Sequence, residues 1–221
     1  MTKKEIALKA VEALEKLYPD AICSLDYKDA FQLLIATRLS AQCTDARVNM
    51  VTPALFREFP DAKSMGNAPI ERVEELIKTC GLYKTKAKDL IEIGKKITSD
   101  FDGKVPDTIE ELTTLSGVGR KTANLVIGDV YGKPAVVTDT HFIRLCNRLG
   151  LVNTTEPKKV EDAMRKLLPP DKSNDFCHRS VLFGRDICTA RKAYCEKCPL
   201  ADFCPKKIKK KMNCQTKCNT F

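Results

Sequence analysis

Four cysteines near the end of the 221-residue chain have the spacing of a metal site. They are Cys188, Cys195, Cys198 and Cys204, separated by six, two and five residues. Thiolates are soft ligands, and four of them suit either tetrahedral zinc or an iron–sulfur cluster. A zinc finger or ribbon usually offers two closely spaced pairs, whereas only one pair is close here. The spacing therefore favours a [4Fe-4S] cluster and leaves zinc as the alternative.

A short glycine-rich segment could bind phosphate. Gly117, Val118 and Gly119 permit a tight turn with positive φ, and a helix is predicted to begin at Arg120. The first N–H groups of that helix lack intrahelical partners, so they could hold a DNA backbone without reading its sequence. A nucleotide P-loop is set aside because Arg120 separates Gly119 from Lys121. With helices on both sides, the segment is predicted to be a helix–hairpin–helix, and an ordinary glycine-rich turn is the alternative.

Lys121 is a candidate nucleophile. It falls in the first turn of the predicted helix, where the helix dipole is positive, and Arg120 precedes it. The positive end of the helix dipole and the charge of Arg120 both disfavour the ammonium form of Lys121. They favour the neutral amine, which is the nucleophilic form. A lysine that only binds phosphate is the alternative interpretation.

Asp139 is a candidate acid–base group. It follows the apolar residues Val136 and Val137 and precedes a predicted helix. A carboxylate here could accept the proton of an amine or stabilise a cationic sugar in a transition state. It could equally be only the N-cap of a helix that ends before Gly150. His141, two residues further on, is expected to be a packing or capping residue rather than a catalytic one.

Helices are predicted almost throughout. A capping box of Thr2 and Glu5 opens the first helix, and Pro19 ends it. Pro53 is expected to kink or restart the third helix. The further predicted helices are Tyr27–Leu39, Asp45–Phe59, one opened by Asn67 and Pro69 and closed by Gly81, Tyr83–Phe101, a short one opened by Asp107 with Glu110, Arg120–Tyr131, His141–Leu149, Pro157–Leu168 and Asn174–Ile187.

Composition and charge narrow the class of partner. The chain has 38 basic and 29 acidic residues, a formal net charge of +9, and 43% apolar residues. A basic surface attracts polyanions, so nucleic acid is the first expected partner and an acidic membrane surface the second. No apolar run reaches the roughly 20 residues that span a bilayer, and no signal-peptide core follows the N-terminus. Eleven cysteines without an export signal indicate metal binding more than disulfides.

The patterns taken together resemble the endonuclease III family of helix–hairpin–helix DNA glycosylases and AP lyases. The resemblance extends from about Tyr27 to Cys204. It is carried by the segments Leu39–Asp45, Gly81–Tyr83, Gly117–Ala123 and Val137–Arg144 and by the spacing of the four cysteines. It implies an all-α fold of two helical domains with a DNA-binding cleft between them. Residues 23–134 would form a six-helix domain with the hairpin, and residues 1–22 and 135–221 a discontinuous iron–sulfur domain.

The resemblance also implies roles for single residues. Lys121 would be the catalytic nucleophile and Asp139 the carboxylate that activates it. Gln42 would fill the gap left by an extruded base, and Leu82 would act on the opposite strand. The alternative interpretations are purely structural: Gln42 would be a polar loop residue and Leu82 a core residue. The remaining implied DNA-binding residues are those of the hairpin, namely Gly117, Val118, Gly119 and Arg120.

The expected function is that of a bifunctional DNA glycosylase and AP lyase acting on oxidised pyrimidines. Because mismatch-opening relatives lack the lysine, Lys121 favours strand cleavage by β-elimination through a Schiff base. A monofunctional glycosylase and a DNA-binding protein without chemistry are the alternatives. The expected partner is double-stranded DNA with a damaged base or an abasic site, bound by a monomer in a prokaryotic cytoplasm, at the nucleoid. Ser116, where many relatives have proline, is expected to loosen the hairpin, and Cys214 and Cys218 are expected to be free thiols.

Overall fold

The computed structural model describes residues 1–206, and this part of the chain is helical. It contains eleven α-helices and no β-strand, which confirms the predicted all-α class. None of these helices has the length and apolar content needed to cross a bilayer. Cys214 and Cys218 lie outside the described residues. The helices are α1 (Lys3–Leu17), α2 (Ala30–Ser40), α3 (Asp45–Glu58), α4 (Ala62–Gly66), α5 (Ile70–Ile77), α6 (Tyr83–Asp100), α7 (Ile109–Leu112), α8 (Arg120–Asp129), α9 (Thr140–Arg148), α10 (Pro157–Leu167) and α11 (Ser173–Asp186).

Capping side chains mark the start of six of the eleven α-helices. The capping box of Thr2 and Glu5 is present at the start of α1, as predicted. The second helix begins three residues later than expected because the side chain of Asp29 caps it. The cap of α7 is Thr108 rather than Asp107, and the side chain of Thr108 accepts a hydrogen bond from the Glu111 N–H. Short polar side chains bind the first free N–H groups of a helix, so they decide where it starts.

Two features of the helices were not expected. The five-residue helix α4 has too few residues to show a periodic apolar pattern, and the sequence analysis missed it. Pro53 does not restart α3, which runs from Asp45 to Glu58 with the proline inside it. Gly66 of α4 lies so close to Gly94 of α6 that a β-carbon on Gly66 would stand 3.0 Å from the carbonyl carbon of Gly94.

The buried apolar residues form two clusters. The first is built from helices α2 to α8 and contains residues between Leu25 and Ala135. The second combines α1 with α9, α10 and α11 and reaches Leu200, so the N-terminal helix packs with the C-terminal third of the chain. Leu125 of α8 packs against both clusters. Helix α8 therefore stands at the boundary of the two clusters, and its first turn follows the glycine-rich hairpin.

Candidate active site and cysteine loop

A cleft with a volume of about 230 Å³ lies where the two clusters meet, and both candidate catalytic residues line it. Lys121 reaches it from the first turn of α8, and Asp139 from the start of α9. The other polar wall residues come from both clusters and include Ser24, Thr37, Asp45, His178 and Arg185. Two helices, α8 and α9, thus place an amine and a carboxylate in the wall of one cleft.

Lys121 is exposed at a helix N-terminus without a side-chain cap. Gly119 is the N-cap of α8, and it has no side chain that could bind the first N–H groups. Lys121 is the second residue of this helix. These N–H groups have no acceptor within the helix and are available to an anion. The predicted phosphate cradle and the candidate nucleophile therefore belong to the same helical turn.

Asp139 has one carboxylate oxygen engaged in capping. Its Oδ1 accepts a 2.7 Å hydrogen bond from the Phe142 N–H, so the residue is the N-cap of α9, as one of the two interpretations predicted. The helix ends before Gly150, whose φ of +73° also agrees with that prediction. Within residues 1–206, Asp139 and Lys121 are joined by their shared cleft rather than by a direct ion pair. The second carboxylate oxygen is the one left for chemistry.

Three side chains, those of Arg38, Asp89 and Ser116, hold the hairpin in place. Gly117 has a φ of +67°, which favours glycine. The guanidinium of Arg38 lies against it and pairs with Asp89, to which Arg38 Nε donates at 3.0 Å. Ser116 Oγ donates a 2.7 Å hydrogen bond to the other oxygen of Asp89. Ser116, expected to loosen the hairpin, thus makes a contact that a proline cannot make.

The hairpin residues differ in what they leave open to a ligand. The Val118 side chain is buried in the first cluster, and its N–H donates to the Leu115 carbonyl oxygen. The space beside Gly119 is open, because no atom lies within 4 Å of a β-carbon built there. Arg120 is already paired, since its guanidinium donates to both oxygens of Glu161 at 3.1 and 2.8 Å. Backbone amides, rather than the Arg120 side chain, are thus the free groups here.

Glu161 is a buried carboxylate that connects the hairpin helix to α10. Only 1% of its side chain is exposed, and Arg165 donates to it at 3.2 Å in addition to Arg120. Burial alone raises the pKa of Glu161, but the hydrogen bonds and charges of the two arginines outweigh burial and hold the pKa below its usual value. Glu161 therefore stays ionised and fixes the guanidinium of Arg120 on the second cluster.

Gln42 and Leu82 are both exposed, and both have left-handed backbone conformations. Their φ angles are +54° and +60°, which is uncommon for residues other than glycine. Their loops touch, because a β-carbon on Gly81 would stand 3.3 Å from the carbonyl oxygen of Gln42. Leu82 is 59% exposed, so the interpretation of Leu82 as a core residue is wrong. Strained residues of this kind cluster at functional surfaces.

A polar cluster in the wall of the cleft was not predicted from the sequence. His178 Nε2 lies 2.7 Å from Asp129 Oδ1, and Asn174 donates to the same oxygen at 2.6 Å. His178 lines the cleft, whereas His141 packs against Gly184 and Arg144, in agreement with its predicted packing role. The available signal was that the chain has only two histidines; the partner of His178 is 49 residues away and cannot be found from spacing.

A second group of polar residues in the wall of the cleft was also not predicted from the sequence. Ser24 Oγ donates a 2.6 Å hydrogen bond to Asp45 Oδ2, and Arg185 lies 3.9 Å from the same oxygen. All three residues line the cleft that contains Lys121. The walls therefore offer hydrogen-bond donors and acceptors of both charges, which is the composition that a site for a polar base requires.

The four cysteines of the predicted cluster surround one cavity. Cys188, Cys195, Cys198 and Cys204 all line it, together with apolar residues and Arg148. Within residues 1–206 no three His, Cys, Asp or Glu side chains are arranged as a ready-made metal site. Burial raises the pKa of the Cys198 and Cys204 thiols. The donor set, four soft thiols without a competing carboxylate in the cavity, fits an iron–sulfur cluster or zinc.

The surroundings of the thiols suit thiolate sulfur. Arg148 donates to Cys188 Sγ at 3.1 Å and to the Cys188 and Thr189 carbonyl oxygens at 3.1 and 2.9 Å. The Lys206 N–H donates to Cys204 Sγ at 3.3 Å. Hydrogen bonds to sulfur and nearby positive charge stabilise the thiolates of a metal site. The other described cysteines lie outside this cavity; they are Cys23, Cys43, Cys80, Cys146 and Cys177.

Comparison with known proteins gives consistent matches over nearly the whole chain. Residues 35–170 match the model of the HhH-GPD superfamily of base excision DNA repair proteins. Endonuclease III of Synechocystis sp. is 48% identical over 205 residues, which cover 92% of this chain and 94% of that protein. Endonuclease III of Bacillus subtilis is 39% identical over 202 residues, which cover 89% of this chain and 92% of that protein.

Solved structures agree with these matches. The structure of a trapped endonuclease III–DNA covalent intermediate superimposes with a TM-score of 0.86 at 38% identity, covering 93% of this chain and 97% of that chain. A thermostable thymine-DNA glycosylase shares the fold, with a TM-score of 0.83 at 24% identity, covering 91% of this chain and 96% of that chain. The chain belongs to the endonuclease III family, within the HhH-GPD superfamily of base excision DNA repair proteins.

Proposed function

We propose that Lys121 is the nucleophile with which this base excision repair DNA glycosylase removes a damaged pyrimidine and then cuts the DNA strand. The observation that carries the proposal is the shared cleft, which both Lys121 and Asp139 line although they belong to different helices. The similarity to endonuclease III captured as a covalent intermediate with DNA supports it.

The reaction begins with extrusion of the damaged nucleotide, which costs a few kcal/mol and favours poorly paired bases. The Lys121 amine attacks C1′ of the sugar while the base leaves with the glycosidic electron pair. Asp139 accepts the amine proton or stabilises the cationic sugar. The sugar ring then opens: the C1′–O4′ bond breaks, O4′ takes up a proton, and the amine nitrogen forms a Schiff base with C1′. The Schiff base acidifies the C2′ proton, and loss of that proton expels the 3′ phosphate by β-elimination. Oxidised pyrimidines are the proposed lesions.

Double-stranded DNA with a damaged base or an abasic site is the proposed partner, bound by a monomer. The free N–H groups of the Gly119 turn would hold phosphate, and the net charge of +9 would attract the duplex. Gln42 would fill the vacated base position, and Leu82 would contact the opposite strand. Their exposure and left-handed backbone support these roles.

A [4Fe-4S] cluster is the proposed cofactor, held by the four cysteines that line one cavity together with Arg148. It would cross-link the C-terminal loop and so stabilise the fold. We place it in a discontinuous domain of residues 1–22 and 135–221, with residues 23–134 as the hairpin domain; the two apolar clusters support this division. The proposed location is a prokaryotic cytoplasm, at the nucleoid.

Borohydride trapping tests the nucleophile. Reduction of the Schiff base should join enzyme and lesion DNA covalently, and peptide mapping should find the adduct on Lys121. Lys121→Gln should abolish trapping and cutting while DNA binding survives, because the backbone amides remain. Lys84 is a matched control: it is the second residue of α6, as Lys121 is of α8, and it does not line the cleft. Lys84→Gln should trap normally.

The same experiment separates the alternatives. Base release without strand cutting would show a monofunctional glycosylase and would overturn the lyase proposal. Binding without either reaction would leave only a DNA-binding protein. An adduct on another amine, with Lys121→Gln still trapped, would overturn the assignment of Lys121 itself.

A further inference from the structure

The two loops that present Gln42 and Leu82 are adjacent, and each carries a cysteine. Cys43 follows Gln42, and Cys80 lies two residues before Leu82. The loop backbones are in contact, since the Gln42 carbonyl oxygen is 3.3 Å from the β-carbon position of Gly81. The two thiols are near enough that Cys43 contributes to raising the pKa of Cys80. Both side chains belong to the edge of the first apolar cluster.

Backbone hydrogen bonds hold both cysteines in position. The Cys43 N–H donates to the Ser40 carbonyl oxygen at 3.0 Å, and the Cys80 N–H donates to the Ile77 carbonyl oxygen at 2.8 Å. Each cysteine therefore sits in a tight turn just beyond a helix, α2 or α5. A disulfide requires the two sulfurs to approach to about 2.05 Å, and the adjacent turns hold both cysteines in the same part of the structure.

A buried lysine lies beside the pair. Lys86 is fully buried, and its Nζ donates a 2.7 Å hydrogen bond to the Leu39 carbonyl oxygen at the end of α2. Burial and the neighbouring Cys43 together raise the pKa of Cys80 to about 11, and the charge of Lys86 offsets part of that rise. A cation next to a thiol favours the thiolate, the form that reacts with disulfides.

We propose that Cys43 and Cys80 form a redox modification site, in which a small-molecule disulfide oxidises the two thiols to an intramolecular disulfide. Cys43 is partly exposed and reacts first, whereas Cys80 is buried and resolves the intermediate. The Cys43 thiolate attacks one sulfur of the oxidant and expels one thiolate. The Cys80 thiolate then attacks Cys43 Sγ and expels the second, so two protein thiols are oxidised and one disulfide is reduced to two thiols, which take up both protons.

The disulfide would tie together the two loops that carry the proposed DNA-inserting residues. This consequence rests on the proposed function. Gln42 and Leu82 have constrained backbones, so drawing their neighbours together displaces their side chains. Since small misplacements at a functional site are costly, we expect the affinity for lesion DNA to fall by about tenfold or more on oxidation and to recover with dithiothreitol.

The site is tested without DNA. The reduced protein with its cluster is titrated with oxidised glutathione, blocked with N-ethylmaleimide, digested with trypsin and analysed by mass spectrometry. The expected product joins the peptide Leu39–Arg47 to the peptide Thr79–Lys84. Cys80→Ala should instead retain one glutathione on Cys43, and Cys43→Ala should lose the reaction. Cys146→Ala, which removes a fully buried thiol of the second cluster, should form the same cross-link as the unaltered protein.

Each outcome decides the proposal. Glutathione on Cys43 without a cross-link in the unaltered protein, or either cysteine paired with a different thiol, would overturn the site. Helical circular dichroism and the visible absorption of the cluster show that each variant is folded. A cross-link that leaves DNA affinity unchanged would overturn the effect on DNA but not the site. If the proposed function were wrong, the reduced protein would neither release the base nor cut the DNA strand. The peptide mapping does not depend on that result.

Discussion

The side chain of Arg38 occupies the space into which a β-carbon on Gly117 would project. The Arg38 Cδ would stand 2.9 Å from that β-carbon, and the guanidinium beyond it is held by Asp89. The φ of Gly117, +67°, adds a second requirement for glycine, because other residues are strained there. The turn that precedes Lys121 is therefore fixed by the backbone of one residue and by the packing of an arginine from α2.

Gly117→Ala is expected to lower the free energy of unfolding by about 1–3 kcal/mol, since it strains the backbone and displaces Arg38. Urea denaturation measures this, and DNA binding should weaken with it. Gly103→Ala is the matched control: Gly103 also has a positive φ, +78°, but no atom lies within 4 Å of its β-carbon position. Equal losses in the two variants would show that the contact with Arg38 contributes nothing.

Glu161 gives a pH-dependent prediction. Its pKa in the folded protein lies below the ordinary value of 4.5, so its contribution to stability is present above pH 4.5 and is lost as the pH falls through the lower folded value. Glu161→Gln should lower the free energy of unfolding by about 1–3 kcal/mol at pH 7 and should flatten its decline below pH 4.5. Urea denaturation as a function of pH measures both effects.

The exposed Glu71 provides the control for Glu161. Glu71→Gln removes a carboxylate from the first turn of α5 without breaking a buried ion pair. Its stability should follow that of the unaltered protein across the pH range. If Glu161→Gln kept the full acid dependence, the two arginine contacts would not be what holds the carboxylate in its ionised form.

Much of the fold was predictable because local chemistry determines it. The capping box at Thr2, the cap at Asp139 and the glycine after α9 depend on residues three or four positions apart, and all three were predicted. The all-α class follows from apolar periodicity over long segments. Errors fell where the signal is short, as in α4, or where two polar neighbours compete for one cap, as Asp107 and Thr108 do.

What the sequence could not provide are contacts between distant segments. Ser116 was expected to loosen the hairpin because its partner Asp89, 27 residues away, was not known. The pairing of His178 with Asp129 was missed for the same reason. The placement of Lys121 and Asp139 in one cleft came only from the resemblance. The residue types of a site can be found in the sequence, whereas their partners depend on the packing of the two apolar clusters.

The four cysteines of the C-terminal loop lead to a prediction of the metal content of the protein. The purified protein should be brown and contain four irons and four sulfides, the content of a [4Fe-4S] cluster. Cys198→Ser should lower the iron content and the yield of folded protein, because the cluster cross-links the loop. Cys43→Ala, which removes a thiol outside the cavity, should keep the full iron content. One zinc and no iron in elemental analysis would contradict the prediction.

Arg148 should be needed for a stable cysteine loop. Its guanidinium donates to Cys188 Sγ and to two carbonyl oxygens of the same loop, so Arg148→Ala removes three hydrogen bonds. We expect faster loss of iron to a chelator and a fall of about 1–3 kcal/mol in the free energy of unfolding, the cost of leaving such groups unpaired. Arg191→Ala, in the same segment, is the control. A chelation rate unchanged in Arg148→Ala would show that these bonds do not protect the cluster.

Asp139→Asn separates the capping role of Asp139 from its proposed chemical role. Asparagine keeps an oxygen that can accept the 2.7 Å hydrogen bond from the Phe142 N–H, so the free energy of unfolding should change little. It loses the negative charge in the cleft, so single-turnover strand cutting should slow by about 10²–10⁴-fold, the usual effect of a lost acid–base group. Asp139→Ala, which removes the cap as well, should also cost about 1 kcal/mol of stability. If Asp139→Asn were stable and fully active, Asp139 would be a helix cap only, and the group that accepts the Lys121 proton would have to be sought among the other wall residues, of which Asp45 is the other carboxylate.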